Sequence, residues 1–173
     1  LAIGTEEQKQ FFLPKLVSGE VFFAIGMSEP GSGSELASVR TRAERVDGGW
    51  AITGTKLWTS NAHRADWFFV LCRSAPLGED RHAGLSQFII DLKTPGISIR
   101  PVPILTGAHH FHEVVMDRVF VPDTRVLGEI GQGWKQARLK GCRQCRKLRG
   151  RPHDLTSCNT HSLRLKNVAV REE

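Results

Sequence analysis

The chain has 173 residues, 40% hydrophobic and 24% charged, which excludes a disordered polymer and suffices for one packed domain with an appendage. No apolar run reaches the roughly 18 residues of a membrane-spanning helix, and Leu1–Lys15 lacks the basic-then-apolar order of a signal peptide, so the cytosol is the expected compartment. The net charge of +6 is unevenly placed: residues 1–136 hold 14 Lys and Arg against 15 Asp and Glu, and residues 137–173 hold 10 against 3.

The N-terminal stretch reads as a helix. Thr5 can cap it, Gln8 completes a capping box, and Phe11, Phe12, Leu13, Leu16 and Val17 recur at helical spacing. Pro14 limits or bends it, and Ser18-Gly19-Glu20 ends it. From Val21 the pattern changes to strands. Val21–Ile25 is a short apolar run, and residues 39–46 are more polar and edge-like. Asp47-Gly48-Gly49 predicts a hairpin turn into residues 50–53, and Gly54-Thr55 predicts a second turn into residues 56–60. Residues 67–72, 88–92, 97–102 and 113–121 supply further strands, with a polar loop over 77–83. Short strands at this spacing predict a mainly β fold, an antiparallel sandwich or barrel, and not βαβ units. Residues 131–136 read as the entry to a helix. Beyond them Gly141, Gly150 and Pro152 interrupt any period.

Four clusters carry candidate chemistry. A strand runs into the Gly/Ser-rich segment Gly26-Met27-Ser28-Glu29-Pro30-Gly31-Ser32-Gly33-Ser34, where glycines permit close backbone approach and serines add donors. It fits a surface connector or a cradle for an anion or polar ring edge, and it is neither a Walker loop nor a GxGxxG turn. Trp58, flanked by Thr55, Thr59 and Ser60, reads as a core residue on a strand or as the wall of a flat ligand. His109, His110 and His112 invite a metal, but only His110 and His112 would share a strand face and no further ligand is placed nearby, so none is assigned. In the basic tail, Cys142, Cys145, His153 and Cys158 follow the order of a zinc knuckle with too long a gap. The tail also lacks an aromatic residue to stack on a base.

Together these segments resemble the acyl-CoA dehydrogenase family of flavoproteins. GTEEQKQFFLPKLVSGE is similar to the last helix of that family's N-terminal α-domain, and SEPGSGSELASVRT to its signature loop. GWAITGTKLWTSNAHRADWFFVLCRS resembles its second flavin-contacting segment. GLSQFIIDLKTPGISIRPV, HFHEVVMDRVFVP and VLGEIGQGW resemble the rest of its middle β-domain. The resemblance covers residues 4–136.

It implies three segments: residues 1–20 as the end of the helical domain, 21–130 as the middle β-domain, and 131–173 as an incomplete or aberrant C-terminal segment. It implies FAD as cofactor, contacted through Ile25, Met27, Ser28, Gly33, Ser34, Trp58 and Ser60, with Ser34 also touching the acyl-CoA. Ser28 stands where the family usually has Thr, and Glu35 where it usually has Asp. The implied reaction is α,β-dehydrogenation of an acyl-CoA thioester, with an electron-transfer protein as acceptor and a homo-oligomer as the intact form. The family's catalytic Glu lies in a C-terminal helical domain that this sequence does not supply, so no catalytic residue is assigned and the chain alone is expected to be inactive. Flavin-dependent oxidases and monooxygenases of the same fold form an alternative. So does a β-domain with a basic zinc-binding or nucleic-acid-binding tail, although nucleic acid is not the expected partner. A change of reading frame near Lys135–Arg138 would account for the tail's composition.

Overall fold

The computed structural model describes residues 3–32, 35–107 and 109–137. It begins with the helix α1 (Glu6–Ser18). The Thr5 hydroxyl accepts a hydrogen bond from the Gln8 amide, and the Gln8 side chain accepts one from the Thr5 amide, each at 3.2 Å. This reciprocal pair satisfies two of the amides that every helix leaves unpaired at its start. Gly19 closes the helix in the left-handed conformation, at φ 76°. Gln8 is buried and also donates to the carbonyls of Thr124 (2.8 Å) and Val126 (2.7 Å), tying α1 to a distant part of the chain.

Eight strands follow: β1 (Phe23–Gly26), β2 (Arg42–Val46), β3 (Gly49–Ser60), β4 (Trp67–Arg73), β5 (Leu85–Asp91), β6 (Ile97–Pro101), β7 (Phe111–Pro122) and β8 (Val126–Leu127). They form one sheet in the order β6-β7-β3-β2-β4-β5-β8, with β1 added against β4. Most pairings are antiparallel, whereas β1 and β2 each run parallel to β4. The sheet is not flat. Trp50 on β3 and Phe88 on β5 lie three strand positions apart, which a flat sheet would hold at about 14 Å. Their ring centroids are 5.6 Å apart, so the sheet coils over its own apolar face as a barrel-like layer does. Ile52, Phe68, Val70, Ile90, Val114, Met116 and Val119 fill the space enclosed.

A second cluster joins α1 to the outside of this sheet. Phe12 is fully buried with Ile89 and Leu127, and its ring meets Phe23 at 5.2 Å and Trp67 at 4.9 Å edge-on. The Arg125 guanidinium lies over the rings of Phe11, Phe12 and Trp67 at 4.7–5.0 Å.

The strand expectations hold with one correction. Asp47-Gly48 makes the expected two-residue hairpin turn, with Gly48 at φ 72°. Gly54-Thr55 makes no turn, because β3 runs unbroken for 12 residues. Gly54 is there for close approach: a Cβ on it would sit 2.5 Å from Thr41 Oγ1 and 2.7 Å from Thr41 Cα. The chain divides into two compact units, residues 1–136 and 137–173, and the second lies outside the described residues from position 138 onward. The readings on Cys142, Cys145, His153 and Cys158 fall there. No described helix is long and apolar enough to cross a membrane.

Candidate functional site

The site is built where β1 ends against the middle of β3. β1 leads through Gly26 into residues 27–32. A Cβ on Gly26 would lie 2.1 Å from Phe68 Cζ, so only glycine lets the backbone sit this close to the core. Glu29 and Ser32 then exchange backbone hydrogen bonds at 3.0 and 3.1 Å around a four-residue turn with Pro30 and Gly31 at its tip. The Ser32 hydroxyl donates to the Glu35 carbonyl at 2.9 Å and accepts from Ser38 at 2.9 Å, closing the loop on itself.

This loop is fastened to β3. The Leu57 amide donates to the Ser28 carbonyl at 2.9 Å. Below it, the fully buried Lys56 ammonium donates to Glu29 Oε1 at 2.8 Å and to the Met27 carbonyl at 3.3 Å. The same carboxylate accepts from the Thr41 amide (2.9 Å), the Thr41 hydroxyl (2.5 Å) and the Arg40 amide (2.7 Å). Burial alone would push the Glu29 carboxyl up. The Lys56 charge and the donors from Lys56, Thr41 and Arg40 outweigh it and hold the group below the usual carboxylate value. Cys72, buried nearby, has its thiol pushed up to about 12 by burial.

Immediately beyond Lys56 the β3–β7 ladder slips. Lys56 pairs with Val114 and Thr59 with His112, so three steps on β3 match two on β7. The extra residue is a β-bulge, and Trp58 occupies it at φ 61°, a conformation that non-glycine residues rarely adopt. The bulge lets Lys56 and Thr59 both face inward while Trp58 turns out, 52% exposed, with its ring edge-on to Phe111 at 5.7 Å. The reading of Trp58 as a core residue is thereby overturned. Ile25 on β1 is also turned outward, 49% exposed, and Ser60 is exposed at the end of β3. Ser28 is half-buried. Its carbonyl is used by Leu57, but its amide and hydroxyl make no hydrogen bond to any described residue.

Of the seven residues singled out, the structure therefore gathers Ile25, Met27, Ser28, Trp58 and Ser60 along the β1–β3 junction. Met27 contributes a carbonyl to Lys56. Gly33 and Ser34 lie outside the described residues. Glu29, Lys56 and Thr41 were not anticipated: they are 12 and 27 residues apart in sequence, and no local spacing marks them as partners.

The histidine expectation needs correction. His110 precedes β7 and is exposed, whereas His112 on β7 is buried. The partner of His112 is His63, stacked on it with ring centroids 4.4 Å apart. Burial and the neighbouring His63 hold His112 below the usual imidazole value, against the Thr59 backbone hydrogen bond. His112 Nδ1 and the adjoining Thr59 Oγ1 are both buried without a partner among the described residues. No metal-ligating group of three His, Cys, Asp or Glu occurs among those residues.

Comparison with known proteins gives this geometry a context. Residues 24–119 match the family model described as acyl-CoA dehydrogenase, middle domain. The chain is 49% identical over 135 residues to acyl-CoA dehydrogenase FadE34 of Mycobacterium tuberculosis, covering 78% of this chain and 19% of that protein. Among solved structures, the Tcur3481-Tcur3483 steroid ACAD superposes with a TM-score of 0.75 at 40% identity, covering 79% of this chain and 35% of that one. The FAD complex of PigA superposes with a TM-score of 0.75 at 27% identity, covering 82% and 37%. The chain thus spans little more than a third of these proteins at most.

Proposed function

The chain belongs to the acyl-CoA dehydrogenase family, and from that premise we propose that it forms the FAD-facing β-domain of an enzyme that dehydrogenates acyl-CoA thioesters between the α and β carbons. The observation that carries the reading is the β1–β3 junction. There an outward Trp58, an outward Ile25 and a Ser28 amide and hydroxyl with no partner among the described residues lie within three residues of the Leu57–Ser28 hydrogen bond. Such a surface fits a flat, polar-rimmed ring. Indole and isoleucine offer apolar walls, and Ser28 and Ser60 offer donors at the edge.

When bound, FAD supplies the acceptor for the hydride leaving the substrate's β-carbon. The chain's own work is orientation and electrostatics. Ser28, whose amide and hydroxyl have no partner among the described residues and which is followed by the Glu29–Ser32 turn, is placed to stabilise negative charge at a ring edge without reorganising as that charge appears. Trp58 excludes water from one side of the ring. Ser34 falls to the acyl-CoA side on the resemblance alone. The α-proton would be removed by a carboxylate facing the substrate from the side opposite the ring, a role that falls to none of the described residues. An electron-transfer protein as acceptor and a homo-oligomeric assembly belong to the same proposal. The likeness to a steroid ACAD makes bulky polycyclic acyl groups the first to try in a substrate panel.

Uptake of FAD by the purified chain is the test. Binding should quench flavin fluorescence and shift its visible absorption, and Trp58→Ala should weaken both. A folded chain that leaves the flavin spectrum untouched at high micromolar FAD would refute the proposal.

A further inference from the structure

The buried ion pair between Glu29 and Lys56 is an expensive feature in an otherwise apolar interior. Lys56 is fully buried, Glu29 is 7% exposed, and the pair closes at 2.8 Å. Such pairs are poor sources of stability, because apolar residues of the same size serve as well or better. What they supply is registration: buried charge can be satisfied in one arrangement only.

The register at stake here is specific. Lys56 is the last residue of β3 before the bulge, and Glu29 is the first residue of the Glu29–Ser32 turn. The pair therefore joins the turn that follows Ser28 to the strand position that precedes Trp58. A slip of one residue on β3 would bring Leu57 or Thr55 opposite the carboxylate and strand its charge. It would also move Trp58 to the other face. The carboxylate's further bonds to the Arg40 and Thr41 amides pin the same turn to the approach of β2, so the turn is held from two directions.

We propose that Glu29 and Lys56 are a positioning pair, which fixes Ser28 and Trp58 relative to each other so that one flat ligand meets both, a role that rests on the FAD-facing reading above. Neither side chain reaches the ligand surface. Both act through the backbone: Lys56 through the Met27 carbonyl and the bulge, and Glu29 through its own turn.

Two variants of the full chain decide it. Lys56→Met leaves Glu29 without its counter-charge in the interior, and it reports mainly stability. The double variant Lys56→Met/Glu29→Gln is neutral, keeps one oxygen for the Thr41 amide and hydroxyl while giving up the acceptor of the Arg40 amide at an exposed position, and separates position from stability. It should melt within a few degrees of the wild type. Its Leu57 amide, which donates to Ser28, should exchange about tenfold faster, and its FAD dissociation constant should rise about tenfold. A folded double variant with unchanged Leu57 exchange, or with unchanged FAD affinity, would overturn the assignment. So would a double variant that fails to fold, since the pair would then be a stability element. A wild-type chain that takes up no FAD defeats the cofactor reading by itself, and Leu57 exchange then decides whether the pair clasps the turn.

Discussion

Trp58 can be used to test the bulge without any ligand. In a regular strand, alanine outranks glycine by about 0.5–1 kcal/mol, because glycine has more backbone freedom to lose. At φ 61° the order should reverse, since a Cβ in the left-handed region costs about 1–2 kcal/mol and glycine escapes it. Trp58→Ala and Trp58→Gly lose the same indole, which is half exposed and touches Phe111 edge-on, so that loss cancels between them. The difference left is strain relief minus glycine's entropy. It should favour Trp58→Gly by about 1 kcal/mol, or about 3 °C in melting temperature for a domain of this size. Paired urea and thermal unfolding of the two variants measure it directly. Both should lose FAD affinity alike, because neither retains the ring. If Trp58→Ala proves as stable as Trp58→Gly or more so, the backbone at 58 is extended. The bulge, and the outward turn of the indole with it, would then be wrong.

The remaining expectations are shorter. Stability should fall with acid in two windows. His112 is held below the ordinary imidazole value, so the unfolded chain binds its proton first and stability declines as pH drops through about 6.5. Glu29 is held below the ordinary carboxylate value, so its contribution is present above about 4.5 and is lost as pH falls through the lower, folded value. Melting curves of His112→Gln and Glu29→Gln should each lack one of these declines, and a wild-type melting temperature flat from pH 7 to 5 would refute the histidine part. Phe12→Ala should cost about 3–5 kcal/mol in chemical denaturation, because a fully buried ring is removed from between α1 and the sheet. A loss below 1 kcal/mol would mean that α1 does not pack as described. Gly26→Ala should cost at least about 1–3 kcal/mol, since its new Cβ would overlap the Phe68 ring.

Much of this fold was legible in the sequence, and the reasons differ by element. The α1 boundaries follow from local chemistry: Thr5, Gln8 and Gly19 each satisfy a terminal requirement of one helix with groups a few residues away. The β2–β3 hairpin is equally local, and Asp47-Gly48 specifies it. Gly54 misled because glycine serves two purposes that look alike in sequence. A turn needs its conformational freedom, whereas this strand needs its missing side chain, and only the position of Thr41 tells them apart. The outward residues of the proposed site come from motif resemblance, which named Ser28, Trp58 and Ser60 without saying how they meet. The inward part was not. Lys56 keeps the inward phase of Ile52 along β3, but an inward lysine does not announce its partner, and Glu29 lies 27 residues away in sequence. His63 escaped for a similar reason: its stacking on His112 depends on the short turn after β3 folding back over β7.

These unread residues share a property. Around Trp58 the fold gathers a buried ion pair, a left-handed tryptophan, a left-handed Asn61 and two buried polar atoms without partners among the described residues, Thr59 Oγ1 and His112 Nδ1. Each departs from regular strand packing, as left-handed Arg118 on β7 also does, and each costs stability on its own. The apolar interior around Ile52, Phe68 and Val114 needs none of them, since that core would pack as well against a regular strand. Costly features gathered on one strand segment are what a ligand surface requires. Presenting an indole and free donors outward from a strand, at fixed spacing, demands that the pleat be interrupted and that the interruption be held in one register. The bulge provides the interruption and the ion pair the register. The site is thus a part of the sheet whose geometry the hydrophobic pattern does not explain.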